Sequence, residues 1–160
     1  MKTLSLLRHA TAVRDPRFKD FDRPLEHSGE QEVARLGAAL KDLGVHFDRV
    51  VASSAVRTAN TAVLLLKAMG TGHERLETDR ALYISSVEAL LRFIGRVNDE
   101  VNHLLIVGHN PELSALANRF APEIGELDPC ACVSFEFDAE SWLGLELETP
   151  IRVSSRRPPH

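Results

Sequence analysis

Apolar positions along the chain fall into short runs and helical spacings that alternate with one another. Leu4, Leu6 and Leu7 make a brief apolar run that stops at Arg8-His9, which predicts a first buried strand. Residues 12–26 show little periodicity, and Pro16, Pro24 and several charges mark a long loop. Ser28-Gly29-Glu30-Gln31 fits a capping box, with serine at N-cap and glutamine at N3. Val33, Leu36, Leu40 and Leu43 follow at helical spacing, and Gly44 sits where a C-terminal cap belongs. Val50-Val51-Ala52 predicts a second strand over residues 47–53. Ser54 then caps a helix reaching about Met69, with Ala59, Ala62, Val63 and Leu66 as its packing face and Gly70-Thr71-Gly72 as its stop. Residues 75–79 suit an edge strand. Ser85-Ser86-Val87-Glu88 opens a third helix that packs through Val87, Leu90, Leu91, Ile94 and Val97.

Leu104-Leu105-Ile106-Val107 is the strongest strand signal in the chain, and it ends at Gly108-His109. Asn110-Pro111 then provides an N-cap and an N1 proline for a fourth helix, whose inner face is Leu113, Leu116, Ala117 and Phe120. Residues 131–137 alternate as a strand, and residues 143–147 offer a hairpin partner for it. The tail from 154 to 160, with Arg156, Arg157, Pro158 and Pro159, reads as disordered. This order predicts an α/β fold, a three-layer α/β/α sandwich around a mostly parallel central sheet with an antiparallel edge. No repeat or linker interrupts it, so residues 1–160 are read as one domain.

Bulk properties narrow the partners. A net charge of -4 and a pI near 6.0 argue against a general nucleic-acid or anionic-membrane binder, so any anion must be held by a few placed cations. Cys130 and Cys132 are read as small apolar fillers in a reducing compartment rather than as a disulfide. Arg8 and His9 cut the first apolar run too short for a signal peptide, and no stretch approaches transmembrane length. The expected location is cytoplasmic.

Three strong strands end in polar groups: Arg8-His9, Ser53-Ser54 and Gly108-His109. The carboxyl ends of parallel strands share one edge of a sheet, which is where ligands bind in such folds. Arg57 falls at N3 of the helix capped by Ser54, where a cation opposes the helix dipole by about 0.3–1 kcal/mol. A bound anion reverses that sign, because helix N-termini and guanidinium groups both favour phosphate oxygens. Arg8, His9, Arg57 and His109 are therefore read together as an oxyanion site. His27, His46, His73, His103 and His160 are given structural roles, and no third ligand at recognisable spacing suggests zinc. There is no glycine-lysine phosphate loop, and Glu136 and Asp138 stand where a cysteine phosphatase needs arginine. Asp20-Phe21-Asp22 resembles an aspartate nucleophile motif but follows Arg17-Phe18-Lys19, which is no buried strand.

Leu6-Leu7-Arg8-His9-Ala10 resembles the signature of the histidine phosphatase superfamily, the phosphoglycerate-mutase-like enzymes. Asp22-Arg23-Pro24-Leu25, Ser53-Ser54-Ala55-Val56-Arg57-Thr58-Ala59 and Val107-Gly108-His109-Asn110-Pro111 extend the resemblance to small SixA-type phosphohistidine phosphatases. It implies that His9 attacks phosphorus and forms a phosphohistidine intermediate that water hydrolyses. Arg8, Arg57 and His109 would hold the phosphoryl oxygens, with Ser53 and Asn110 orienting a phosphate or a histidine. Guanidinium neighbours should lower the His9 pKa and keep it neutral at pH 7. Two departures stand out. Thr11 occupies a position where many SixA-like sequences carry lysine. Leu82-Tyr83-Ile84 fills the region where many superfamily members place an acidic glutamate, and nearby Glu88 fits a capping box as well as an acid.

The resulting expectation is a phosphatase needing no metal or cofactor, acting on phosphohistidine in a signalling or phosphotransfer protein. A missing acid suits phosphoramidates, because imidazole can depart neutral while an alkoxide needs a proton. Only residues 71–84 join the second and third helices, too few for a lid, so the site should be open enough for a protein side chain. The alternatives are a small-molecule phosphomonoesterase or phosphoramidase of the same superfamily, and a non-catalytic phosphate-binding module. A mutase would need an acid and a closed pocket.

Overall fold

Alternation within each strand decides which layer a side chain joins. In the computed structural model, which describes every residue except Arg75, six strands form one sheet. They are β1 (Lys2–Arg8), β2 (Arg49–Ser53), β3 (Leu76–Asp79), β4 (His103–Gly108), β5 (Cys132–Phe137) and β6 (Arg152–Arg156), in the order β3-β2-β4-β1-β5-β6. The first four run parallel, β5 is antiparallel to β1, and β6 is antiparallel to β5. Four helices, α1 (His27–Asp42), α2 (Val56–Ala68), α3 (Val87–Gly95) and α4 (Glu112–Phe120), complete the layers. Leu4, Leu6, Val51, Leu104, Ile106 and Phe135 share one core cluster with the apolar faces of α3 and α4. Leu7, Val50, Ala52, Leu105 and Val107 share the other with Val33, Leu36 and Leu40 of α1 and Ala62, Leu65 and Leu66 of α2. This is the expected three-layer sandwich, mostly parallel with an antiparallel edge.

Strand order positions the site. The chain passes from β1 to β2 and outward to β3, then returns to insert β4 between β1 and β2. Arg8 pairs with Gly108, and Ala52 with Val107, so three strand ends lie level on one edge. Close packing fixes the helices over them. Glycines Gly44 and Gly70, both at φ above +70°, end α1 and α2 with paired backbone bonds, Gly44 N–H to Lys41 and Val45 N–H to Leu40 in the first case.

Several local expectations are corrected. Helix α1 begins at His27 with Glu26 as N-cap, so Ser28 lies inside its first turn. Helix α2 is capped by Ala55 rather than Ser54, which places Arg57 at the second helical position, still in the first turn. Helix α4 begins at Glu112 with Pro111 as its cap residue, although the Asn110 side chain still accepts from Ser114 N–H at 3.2 Å. Leu43 is exposed, not packed. The buried face of α2 is rotated onto Thr58 and Thr61, which hydrogen-bond backbone carbonyls of Ser53 and Arg57 and so can be buried. Ala59 and Val63 are only partly covered.

The C-terminal end differs most. Residues 143–147 form no strand; Leu145–Leu147 is a short 3-10 turn, with Leu143 and Leu147 exposed. Trp142 is fully buried and donates to the Val101 carbonyl at 2.7 Å, which anchors this segment as a loop. The partner of β5 is β6, which takes Ser154, Ser155 and Arg156 out of the tail expected to be disordered. An edge strand with one exposed face needs few apolar residues, and β6 has only Val153.

Helices α1 and α2 meet at Gly37, where an added Cβ would lie 2.4 Å from the Ala68 Cβ and 3.1 Å from the Leu65 carbonyl oxygen. Gly37→Ala gains up to about 1 kcal/mol of helix propensity but overpacks a contact at about 1–3 kcal/mol. The expected result is a lower urea midpoint than wild type with the slope unchanged. An equal or higher midpoint would show that the two helices separate freely.

Candidate active site

Four side chains scattered through the sequence converge on one cavity of about 510 Å³: Arg8 from the end of β1, His9 after it, Arg57 from the first turn of α2, and His109 after β4. The His9 and His109 rings are 5.5 Å apart between centroids. Arg57 and His109 are each only 6% exposed, so their polar atoms face the cavity or the protein rather than bulk water.

Hydrogen bonds fix both imidazole tautomers. The His9 Nδ1 lies 2.8 Å from the Ala10 carbonyl oxygen, which can only accept, so Nδ1 carries the proton and Nε2 keeps its lone pair. Ser53 Oγ accepts from Ala55 N–H at 3.3 Å and lies 2.7 Å from His109 Nε2. Among the described residues, Nε2 is the one acceptor offered to the buried Ser53 hydroxyl proton, which assigns that proton to Nε2 and the proton of neutral His109 to Nδ1. That Nδ1 has no partner. Among the described residues, the buried side-chain polar atoms without one are Arg8 Nε, Arg57 Nε, His109 Nδ1 and Ser85 Oγ, and all four residues line this cavity. Three of these atoms are N–H groups of residues that share the cavity with His9, whose Nε2 keeps its lone pair. Buried donors are normally satisfied, so such a cluster indicates a place for an anion.

Burial is the main reason that both histidines are neutral. It pushes His9 down to about 4, with the Arg57, Arg8 and Arg23 charges adding to it against the opposing Ala10 hydrogen bond. It pushes His109 down to about 3, helped by Arg57 and by His9. The expected guanidinium effect on His9 is present but secondary to desolvation.

The remaining expected residues do different work. Ser53 is fully buried and contacts His109, so it orients the imidazole instead of lining the cavity. Asn110 lines the cavity, yet its Nδ2 donates to the Leu127 carbonyl at 3.0 Å and its Oδ1 accepts from Ser114. Arg8 reaches the same Leu127 carbonyl through Nη1 at 2.9 Å, so the two side chains share one support. Glu88 lies in the first turn of α3 and lines a separate cavity.

The 12–26 loop contributes one wall of the cavity through Arg14, Asp20 and Arg23. Asp20 lies on the cavity beside Arg57, which donates from Nη1 to the Asp20 carbonyl at 2.6 Å and from Nη2 to the Asp20 carboxylate at 3.1 Å. Tyr83 donates to the same carboxylate at 2.6 Å, and Arg23 at 2.9 Å. Two sequence patterns touch this wall, Asp20-Phe21-Asp22 as a likeness to a nucleophile motif and Asp22-Arg23-Pro24-Leu25 as part of the family resemblance. What they lacked was a strand to place them on.

The profile of the histidine phosphatase superfamily (branch 1) matches residues 4–83, half of the chain. The chain belongs to this family. An uncharacterized protein of Mycobacterium tuberculosis is 34% identical over 111 residues, covering 69% of this chain and 67% of that protein. A structure provisionally assigned as the phosphohistidine phosphatase SixA of Agrobacterium tumefaciens superposes with a TM-score of 0.75 at 26% identity, over 86% of this chain and 92% of that one. A protein histidine phosphatase SixA complexed with tungstate shares the fold, with a TM-score of 0.80 at 22% identity over 98% and 97% of the two chains. The histidine phosphatase family and the SixA-like fold support phosphatase activity.

Neutral buried histidines couple stability to pH. In the unfolded chain imidazoles take up protons near pH 6.5. In the folded protein His9 and His109 resist protonation until about pH 4 and about pH 3, and His103, half-buried beside Ser5, until about pH 4. The unfolded state therefore binds more protons over this window, and stability falls with acidification. The expected observations are a Tm that drops from about pH 7 to about pH 5, and a His9 NMR titration midpoint near pH 4. A midpoint near 6.5 would mean that His9 is solvated.

Proposed function

We propose that this protein is a metal-independent phosphatase that uses His9 as nucleophile and removes phosphoryl groups from phosphohistidine in a signalling or phosphotransfer protein. The observation that carries the reading is the set of partnerless donors Arg8 Nε, Arg57 Nε and His109 Nδ1 on residues that share one cavity with His9 and its free Nε2. In this mechanism the donors hold the phosphoryl oxygens while Nε2 attacks phosphorus in line with the leaving group. The leaving group's bond to phosphorus breaks with its electron pair, and phosphorylated His9 remains, protonated at Nδ1 and bonded to the Ala10 carbonyl. Water then attacks phosphorus, the P–N pair returns to Nε2, and the water protons depart on dihydrogen phosphate. His9 leaves that second step neutral because Nδ1 kept its proton throughout. Ser53 and Asn110 serve as positioning residues, the first for His109 and the second for the frame that holds Arg8.

Two features support a protein-borne substrate. The cavity lies open at the sheet edge, and the described residues of the 69–86 connection between α2 and α3 form only β3 and a short 3-10 turn, with no covering subdomain among them. One observation favours the small-molecule reading instead: Glu112 lines the cavity with its carboxyl raised by burial, which is the direction an acid for an alkoxide leaving group requires.

Rapid quench with a phosphoryl-labelled substrate should trap an acid-labile, base-stable label on wild type and none on His9→Ala. Arg57→Ala should lower kcat/KM by about 10²–10³. Turnover without label, or label on another residue, would overturn the mechanism. Higher kcat/KM on sugar phosphates than on a phosphohistidine protein would overturn the substrate class in favour of the small-molecule reading.

A further inference from the structure

The 12–26 loop brings a carboxylate into a site built to bind an anion, an arrangement that works against phosphate affinity. Asp20 is nonetheless held there by three side chains. Its Oδ2 accepts from Tyr83 at 2.6 Å and from Arg57 at 3.1 Å, and its Oδ1 accepts from Arg23 at 2.9 Å. These donors, the Tyr83 hydroxyl first, keep the carboxyl far below the usual carboxylate range, so it is a fixed negative charge and no proton donor. A carboxylate has about four acceptor positions. Three are filled, and the open one is on Oδ1 of a side chain 54% exposed at the cavity.

Transfer from phosphohistidine to His9 passes a phosphoryl group between two imidazoles. On the enzyme's ring, the Ala10 carbonyl holds a proton on the nitrogen away from phosphorus. The same requirement applies to the leaving ring, which departs as neutral imidazole only if its far nitrogen is protonated. We propose that the open lone pair of Asp20 Oδ1 accepts the far N–H of the substrate's phosphoimidazole ring and holds that ring in its protonated, leaving form. The inference rests on the phosphohistidine reading above. In the step, the bond from His9 Nε2 to phosphorus forms and the substrate P–N bond breaks. Its electron pair goes to the leaving nitrogen, and the far N–H proton stays on the ring, bonded to Asp20 but not transferred. Asp20 thereby selects phosphoramidates of protonatable rings over phosphate esters, whose leaving oxygen gains nothing from a nearby carboxylate. Arg57 binds Asp20 through its terminal nitrogens and leaves Nε without a protein partner, so holding the carboxylate does not use up the whole guanidinium.

The experiment compares three substrates on wild type, Asp20→Asn and Glu112→Gln: N-phosphoimidazole, its permanently cationic N′-methyl analogue, and an aryl phosphate. Arg57, Arg23 and Tyr83 face Asp20 directly, and His9, His109, Arg8, Arg14 and Glu112 share its cavity, so pH profiles are taken for each variant. On wild type, methylation keeps the positive charge but removes the N–H, and should lower kcat/KM about 10- to 100-fold. That penalty should largely vanish in Asp20→Asn, together with a similar fall in the ratio of phosphoimidazole to aryl phosphate kcat/KM. The alkaline limb for phosphoimidazole should also move to lower pH in Asp20→Asn, because the carboxylate no longer raises the bound ring's pKa. Three results would overturn the inference: no methyl penalty on wild type, equal losses on all three substrates with an unmoved limb, or loss of the penalty in Glu112→Gln but not in Asp20→Asn. The wild-type methyl comparison stands even where a variant fails to fold. Aryl phosphate turnover without any phosphoimidazole turnover would instead defeat the underlying phosphohistidine reading.

Discussion

Everything at the site depends on the return of β4 between β1 and β2. A parallel strand inserted there puts Gly108-His109 level with Arg8-His9 on one side and with the end of β2 on the other. Leu104, Leu105, Ile106 and Val107 are fully buried, so shifting β4 by one residue would exchange the side chains of two cores at once. The register that satisfies packing is therefore the register that sets His109 5.5 Å from His9. A site built from loops alone would have no comparable constraint.

Burial then does chemical work at that edge. Shielding two imidazoles and two guanidinium groups from water makes the neutral imidazoles the stable forms and leaves three N–H groups without a protein partner. In the proposed reaction the phosphoryl oxygens of the substrate would supply these donors with acceptors. Ser53 shows how little of this is left loose. Its one hydroxyl is fully buried, accepts from Ala55, and sets the His109 proton on the cavity side. Tautomer, charge state and direction of the donors thus follow from ordinary packing and from two short polar contacts.

The sequence carried the layers and the four converging residues because those features have a period or a strand end to mark them. Leu104 to Val107 and the α3 and α4 faces were legible for that reason. Cap positions slipped by a residue or two, since Ser28 and Ser54 have the right chemistry but Glu26 and Ala55 have the right backbone geometry. Thr58 and Thr61 misled the reading of α2, because a threonine that bonds a carbonyl behaves as a core residue. The last strand was missed for the opposite reason. An exposed edge such as β6 needs no apolar pattern, while the apolar residues just before it serve to anchor a loop around Trp142. Asp20, Arg23 and Tyr83 left no periodic signal because tertiary contacts alone bring them to the cavity.

Those contacts also account for the departure at Thr11. Its N–H and hydroxyl both donate to the Glu32 carboxylate, at 2.9 and 3.1 Å, and its carbonyl receives Glu26 N–H. Ala12 bridges Leu25, and an added Cβ at Gly29 would lie 2.1 Å from the Thr11 carbonyl oxygen, so the loop stem is pressed against α1. A lysine at position 11 could not make the paired contact with Glu32 from a hydroxyl one carbon off the backbone. The cations that this chain brings to the cavity from the same region are Arg14 and Arg23, and Arg23 is fixed between the Val13 carbonyl and Asp20. Threonine at the root and arginine at the return of one loop thus divide two tasks. The first ties the loop to the helix layer, and the second places charge on the wall of the site.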